Sequence, residues 1–212
     1  MKVNAMNLNT INKSVVVVSI LISCFSVATA AKAETETAIL AGGCFWCMEK
    51  DFEHVPGVIK AVSGYTGGMT KKPTYRTYEK GRHIEAVRIT YDSDKVSYSQ
   101  LLHTFWRSVD PTDAGGQFCD RGHGYSTAIF TLDESQKAIA EKSKEMLMVN
   151  NPLPKPIVTP VIDATEFWPA EEYHQDYYKK ASLRYKFYRL SCGRDKTIRA
   201  LWGDQALAGI IY

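Results

Sequence analysis

Along this chain, short apolar runs bounded by glycine or proline alternate with stretches whose apolar residues recur every three or four positions. Residues 37–41 read as a buried strand. Residues 44–53, with Phe45, Met48 and Phe52 on one face, read as a helix that Pro56 and Gly57 stop. A second strand over 58–64 runs into the glycine-rich loop 65–68, and a helical turn is expected over 74–78. Residues 83–91 alternate in polarity, placing Glu85, Val87, Ile89 and Tyr91 on one face and Ile84, Ala86, Arg88 and Thr90 on the other. Ser97 caps a helix over 97–107, and the long stretch 110–124 carries no element, which in a compact domain often marks a binding site. A strand over 125–132 precedes Asp133, which caps a helix over 134–149 with Ile139 and the methionines inward. A strand over 157–161, an aromatic-rich helical turn over 167–175 and a short helix over 198–202 complete the pattern. Alternating strands and helices predict a single α/β (α+β) domain with a central mixed β-sheet flanked by helices.

Composition changes this picture only at the N-terminus. The chain is 45% hydrophobic and 23% charged, as globular domains are, without repeats. Three of its 26 basic residues and none of its 23 acidic ones lie in residues 1–33, so the rest carries 23 of each. A neutral body gives no reason to invoke nucleic acid. Lys2 and Lys13, the apolar run 15–27 and the small-residue stretch 28–33 have the layout of a secretory signal, cleaved after Ala33 or Ala30. That assigns 1–33 to a signal peptide, 34–212 to the catalytic domain, and the body to a periplasm-like space. An uncleaved anchor fits less well, because spanning needs about 20 apolar residues. A lipoprotein signal with Cys24 lipidated is the alternative.

Export leaves four cysteines, Cys44, Cys47, Cys119 and Cys192, in a compartment that permits disulfides. Pairing of Cys119 with Cys192 is one possibility; the other makes Cys119 a structural neighbour of Asp120. Cys44 and Cys47 bracket Phe45 and Trp46 where a glycine pair turns a strand into a helix. There, unpaired N–H groups and the helix dipole favour thiolate, the reactive form. Glu85 shares the apolar face of its strand, where lost hydration raises a carboxyl pKa and makes it a proton donor near neutrality. Its bland alternative is a solvated Glu paired with Arg82 or Arg88. The loop 65–68 lacks the Gly-Lys-Ser/Thr of a phosphate cradle. Cys119, Asp120 and His123 lack a second pair at zinc-like spacing, so no metal is expected, and His103 reads as an ordinary histidine.

At this point the sequence resembles the peptide methionine sulfoxide reductase A family, over residues 37–178. The motifs are Gly43-Cys-Phe-Trp46, Gly64-Tyr-Thr-Gly-Gly68, Pro73-Thr-Tyr-Arg76, His83-Ile-Glu-Ala-Val87, Asp120-x-Gly-x-x-Tyr125 and Glu172-Tyr-His-Gln175, in the family's order. The resemblance implies a ferredoxin-like two-layer sandwich with a long irregular C-terminal tail, 186–212. It implies Cys44 as the nucleophile that attacks the sulfoxide sulfur and becomes a sulfenic acid. Phe45 and Trp46 match the methyl pocket, Glu85 the acid on the sulfoxide oxygen, Tyr75 and Tyr125 its hydroxyl helpers, and Asp120 a residue holding water or substrate. The implied substrates are the S epimer of methionine sulfoxide, free or in oxidised proteins. The implied reductant is an external thioredoxin-like protein, with no bound cofactor and a monomeric enzyme. Many relatives carry Gly at the position of Cys47 and resolve through tail cysteines. Here Cys47, three residues from Cys44, is expected to resolve first, with Cys192 as second thiol or alternative. The competing reading is a thioredoxin-like dithiol oxidoreductase, which needs neither Glu85 nor the Asp120–Tyr125 motif.

Overall fold

The computed structural model describes residues 1–2, 34–150 and 153–212. The expected signal, with Cys24, otherwise lies outside the described residues, and the account below concerns the unit from Ala33 to Tyr212. Among the described residues no helix is long and apolar enough to cross a membrane.

Strand β1 (Thr35–Gly42) ends in the glycine pair, and α1 (Phe45–Glu53) starts one turn later. β2 (Val58–Thr66), β3 (Ile84–Asp92) and α2 (Tyr98–Trp106) follow. Ser97 caps α2 in a capping box, its side chain accepting from the Gln100 N–H while Gln100 accepts from the Ser97 N–H. The stretch expected to be plain loop holds a small hairpin, β4 (Gly116–Gln117) and β5 (Asp120–Arg121). Then come β6 (Thr127–Thr131), α3 (Glu134–Val149) capped by Asp133, β7 (Val161–Asp163) and β8 (Trp168–Pro169). The chain ends in α4 (Tyr177–Lys180), α5 (Ser182–Ser191) and α6 (Arg194–Trp202).

The main sheet is mixed, in the order β7-β6-β1-β3-β2-β8, antiparallel except for the β6–β7 pair. Period-two alternation decides what each face packs. Leu40, Val87, Ile89 and Tyr91 join Phe45, Met48, Phe52, Leu101, Phe105 and Trp106 of α1 and α2 in the main core. Ile39, Ala41, Ile84 and Ala86 form a smaller cluster on the opposite face, covered by Ala164 and Phe167. Glu85 therefore points to the helical side, as its strand pattern predicts.

Four expectations fail. The tail is helical, not irregular: α5 turns Tyr185 and Arg189 inward and α6 turns Arg194, Ile198 and Trp202 inward, so apolar periodicity shows only at the end of α6. α5 is held by a buried ion pair in which Arg189 Nη1 and Nη2 donate to Asp51 at 2.6 and 3.1 Å. Met146 and Met148 of α3 are more than half exposed, because Ala140 and Leu147 carry the inward stripe. Residues 157–160 form no strand, although Val158 donates to the Pro111 carbonyl and the Pro160 carbonyl accepts from Ile129, and the strand falls at Val161–Asp163, beyond Pro160, whose ring nitrogen has no N–H to donate. Residues 167–175 contribute the short edge strand β8 before turning, because Gly64 and Tyr65 pair with Pro169 and Trp168.

Candidate active site

The glycine pair ending β1 fixes where the first cysteine goes. Gly43 has φ +82°, and a Cβ on it would fall 2.5 Å from Cβ of Gln117, so both conformation and space exclude a side chain. Buried Arg194 braces the turn, donating from Nη1 to the Gly42 carbonyl at 2.9 Å and from Nη2 to the Ser108 carbonyl at 2.8 Å. Cys44 is the residue before α1, and its carbonyl accepts from the N–H groups of Cys47 and Met48. The N–H of Phe45 has no helical partner and donates to Glu85 Oε2 at 3.0 Å.

Cys44 sits at the helix start, yet burial outweighs the helix end. Desolvation first, then the hydrogen bond with Cys47 and the nearby Glu85 carboxyl, push its thiol well above the usual range. Cys47 moves the other way, down to about 7. The hydrogen bond from Cys44 dominates, and Arg194 and Arg189 add to it against the pull of burial. Burial thus opposes the ionisation of Cys44 that the helix end favours. Glu85 is 1% exposed and raised to about 8, by desolvation first, while the Phe45 N–H and Tyr78 hydroxyl oppose the shift. It is mostly protonated at neutral pH. Arg88 faces away, its guanidinium 4.9 Å from the Phe167 ring centre.

These groups wall a cavity of about 60 Å³. Cys44, Phe45, Trp46 and Glu85 form one side; Tyr75, Tyr125, Asp120 and Tyr188 close it. Trp46 is held on both faces of its function. It stacks on Tyr177 with centroids 3.8 Å apart, and its indole N–H donates to His174 Nδ1 at 3.1 Å. An indole nitrogen only donates, so the His174 proton sits on Nε2, which is buried without a partner. Tyr75 and Tyr125 line the cavity with Glu85, and Tyr78 stacks between Tyr75 and Tyr65, its hydroxyl donating to Glu79 Oε1 at 3.3 Å. A far larger space, about 730 Å³ between α2, α3 and α6, contains none of these residues.

Seven of the expected site residues thus line one cavity, and Cys47 lies one turn into α1 behind it. Cys192 does not reach the cavity wall. It is joined to Cys119 in a disulfide, with Cα atoms 4.9 Å apart, so neither sulfur is a free thiolate for a metal. That bond lies against Asp120, whose Oδ2 is 3.8 Å from the Cys192 sulfur and also accepts from the Tyr188 hydroxyl. Tyr188 also lines the cavity with Cys44. Tyr78, Tyr188 and the role of His174 are not evident in the sequence. Tyr78 had one signal, its position three residues after Tyr75 on the same turn; Tyr188 arrives from a helix no periodicity announced.

A family model described as peptide methionine sulfoxide reductase matches residues 36–206. Peptide methionine sulfoxide reductase MsrA 2 of Rhizobium meliloti (strain 1021) is 50% identical over 192 residues, 91% of this chain and 96% of that protein. Peptide methionine sulfoxide reductase MsrA of Bacillus pumilus (strain SAFR-032) is 50% identical over 174 residues, 81% of this chain and 97% of that one. Among solved structures, methionine sulfoxide reductase A of Corynebacterium diphtheriae superposes with a TM-score of 0.63 at 30% identity, covering 72% of this chain and 78% of that one.

Proposed function

The chain belongs to the peptide methionine sulfoxide reductase family, and we propose that it reduces methionine S-sulfoxide, free or peptide-bound, to methionine through Cys44. It is an oxidoreductase. The observation that carries the reading is the meeting of Cys44, a neutral Glu85 and the Phe45–Trp46 surface around one small cavity.

In this reading the S-methyl group packs on Phe45 and Trp46, and the sulfoxide oxygen faces Glu85, Tyr75 and Tyr125. Asp120 holds water or substrate. The Cys44 proton passes to the Cys47 sulfur to which it is hydrogen-bonded, giving the attacking thiolate. That thiolate attacks the sulfoxide sulfur while Glu85 gives its proton to the oxygen. Methionine leaves, and the oxygen stays on Cys44 as a sulfenic acid. Cys47 then attacks the Cys44 sulfur, water departs, and a Cys44–Cys47 disulfide remains for a thioredoxin-like dithiol to reduce. Cys192 is the alternative resolver. The enzyme uses no bound cofactor, works as a monomer and acts after export to a periplasm-like space, where it repairs oxidised proteins. Its β1-α1-β2-β3-α2-β6 core, ordered β6-β1-β3-β2, is read as the split βαβ pattern of ferredoxin-like sandwiches.

The test is methionine release from the separate S and R epimers with dithiothreitol as reductant. Release from the S epimer alone is expected. Equal release from both, or none from S, would overturn the reading.

A further inference from the structure

Helix α5 buries one side and leaves the other without a partner. Tyr185 and Arg189 face the core, and Tyr188 reaches the active-site cavity. At 3.6 residues per turn, Leu183, Phe187 and Leu190 fall within about 60° of one another on the opposite side. They are 82%, 73% and 81% exposed. None of them lines the active-site cavity or the larger space between α2, α3 and α6. Apolar side chains scattered singly over a surface need no explanation, but three in register over two turns of one helix form a stripe. Arg184 and Lys186 flank it, one on each side, and both are exposed. Among the described residues neither forms an ion pair. The sequence of α5 contains no acidic residue. The cations of α4 differ, because Lys179 pairs with Glu53 and Asp176, and Lys180 with Glu172.

We propose that the outer face of α5 docks on an anionic membrane surface. Leu183, Phe187 and Leu190 enter the boundary between headgroups and acyl chains, and Arg184 and Lys186 meet the lipid phosphates. An apolar stripe with cations along its flanks is the pattern of a helix that lies in a bilayer interface. The long stems of Arg and Lys run along apolar surface while their charges stay among the headgroups. Area decides between lipid and protein. A specific protein interface buries about 1,200–2,000 Å² and is shaped to its partner. Three projecting side chains offer a small part of that area and no groove. A fluid lipid surface demands no shape match, and two unpaired cations add attraction to anionic headgroups. By itself the contact is weak and reversible, as single membrane signals are. Docking holds the cavity about 10 Å, one helix diameter, from the headgroups. Oxidised proteins at the membrane then come within its reach; that consequence rests on the sulfoxide-reductase reading above, whereas the docking does not.

The experiment reads the contact at its own position, whatever residues 1–33 do. The full-length Phe187→Trp variant is titrated with vesicles of equal parts phosphatidylglycerol and phosphatidylcholine, and with phosphatidylcholine alone. Its Trp emission, less that of the wild type, should shift to the blue on the anionic vesicles and be quenched by brominated acyl chains. Adding Arg184→Gln and Lys186→Gln should raise the lipid needed by about 30-fold, the worth of two cations near an anionic surface. Adding Leu183→Ser and Leu190→Ser instead should raise it by about tenfold or more. All these variants should reduce free methionine sulfoxide as the wild type does, because none of the five positions lines the cavity. Emission that lipid leaves unchanged, even where the chain sediments with the vesicles, overturns the docking while the reductase reading stands. An equal response on neutral vesicles overturns the part given to Arg184 and Lys186. A blue shift that grows with protein concentration in the absence of lipid assigns the stripe to a second copy of the chain and overturns the proposal.

Discussion

The N–H of Phe45 donates to Glu85 Oε2 at 3.0 Å, tying the residue after Cys44 to the buried carboxyl on β3. One bond thereby sets the distance between nucleophile and acid. It also leaves the second carboxyl oxygen to carry the proton toward the cavity. Glu85→Gln keeps an acceptor for Phe45 but cannot give up a proton. We expect sulfoxide reduction to fall by about 10²–10⁴-fold, the usual worth of a general acid, with the fold intact by circular dichroism. The folded pKa of Glu85 lies above the ordinary 4.5, near 8, so the competent protonated form is lost as pH rises. Wild-type activity should decline with a limb near pH 8 that the Gln variant lacks. Retained activity in Glu85→Gln would end its role as donor.

Trp46 should depend on His174 for its orientation. Losing the 3.1 Å bond from the indole to Nδ1 removes a contact worth about 1 kcal/mol, or roughly fivefold in binding. His174→Ala should raise KM for methionine sulfoxide by that order, change kcat little and shift Trp fluorescence. His174→Asn, which can still accept from the indole, should recover part of the KM effect. A change in kcat alone would point away from positioning.

The site was legible where chemistry and periodicity coincided. Glu85 is an acid on an otherwise apolar face, and alternation alone sends it to the helical side. The glycine pair announced a turn, and Cys44 follows from it. Two things stayed hidden. The ionisation of Cys44 also depends on burial by distant parts of the chain, which no local stretch encodes and which opposes the helix end. α5 packs through Tyr185 and Arg189 and α6 starts on Arg194, so apolar spacing reveals only the end of α6, at Ile198 and Trp202. The Cys119–Cys192 bond spans 73 residues, and spacing left it as one possibility among several.

Arg189 is 5% exposed and pairs with Asp51, which is fully buried. Tyr212 also donates to Asp51 and accepts from Arg189, so the last residue of the chain is locked into the same network. Arg189→Met would leave Asp51 only the Tyr212 hydroxyl and Arg194 Nε, at 3.8 Å, as partners. Breaking such a pair from one side costs about 3–5 kcal/mol, which urea unfolding would register. The double variant Asp51→Leu/Arg189→Met should recover part of that loss, because the Asp51 carboxylate is gone, and only part, because Arg194 Nε, 3.8 Å from Asp51, then has no carboxylate beside it. A loss below about 1 kcal/mol for the single change would show that water reaches Asp51.

Glu49 offers a pH test of stability that is independent of catalysis. It is 1% exposed; its Oε2 accepts from the Ser63 hydroxyl at 2.8 Å and its Oε1 from the Asp176 N–H at 3.0 Å. Burial outweighs both bonds and raises its pKa from the ordinary 4.5 to about 7. The folded chain therefore holds more protons than the unfolded chain between those values. Where the native state binds the extra proton, unfolding free energy falls as pH rises. The contribution is fully present below pH 4.5 and is lost as pH passes through about 7. Glu49→Gln cannot titrate and keeps one acceptor for the surrounding donors. Glu85 has the same sign and is present in both proteins, so their difference isolates Glu49. Thermal midpoints measured from pH 5 to pH 8 should fall more steeply for the wild type than for Glu49→Gln. Parallel curves would mean that Glu49 is already charged throughout that range, with the Ser63 and Asp176 bonds outweighing its burial.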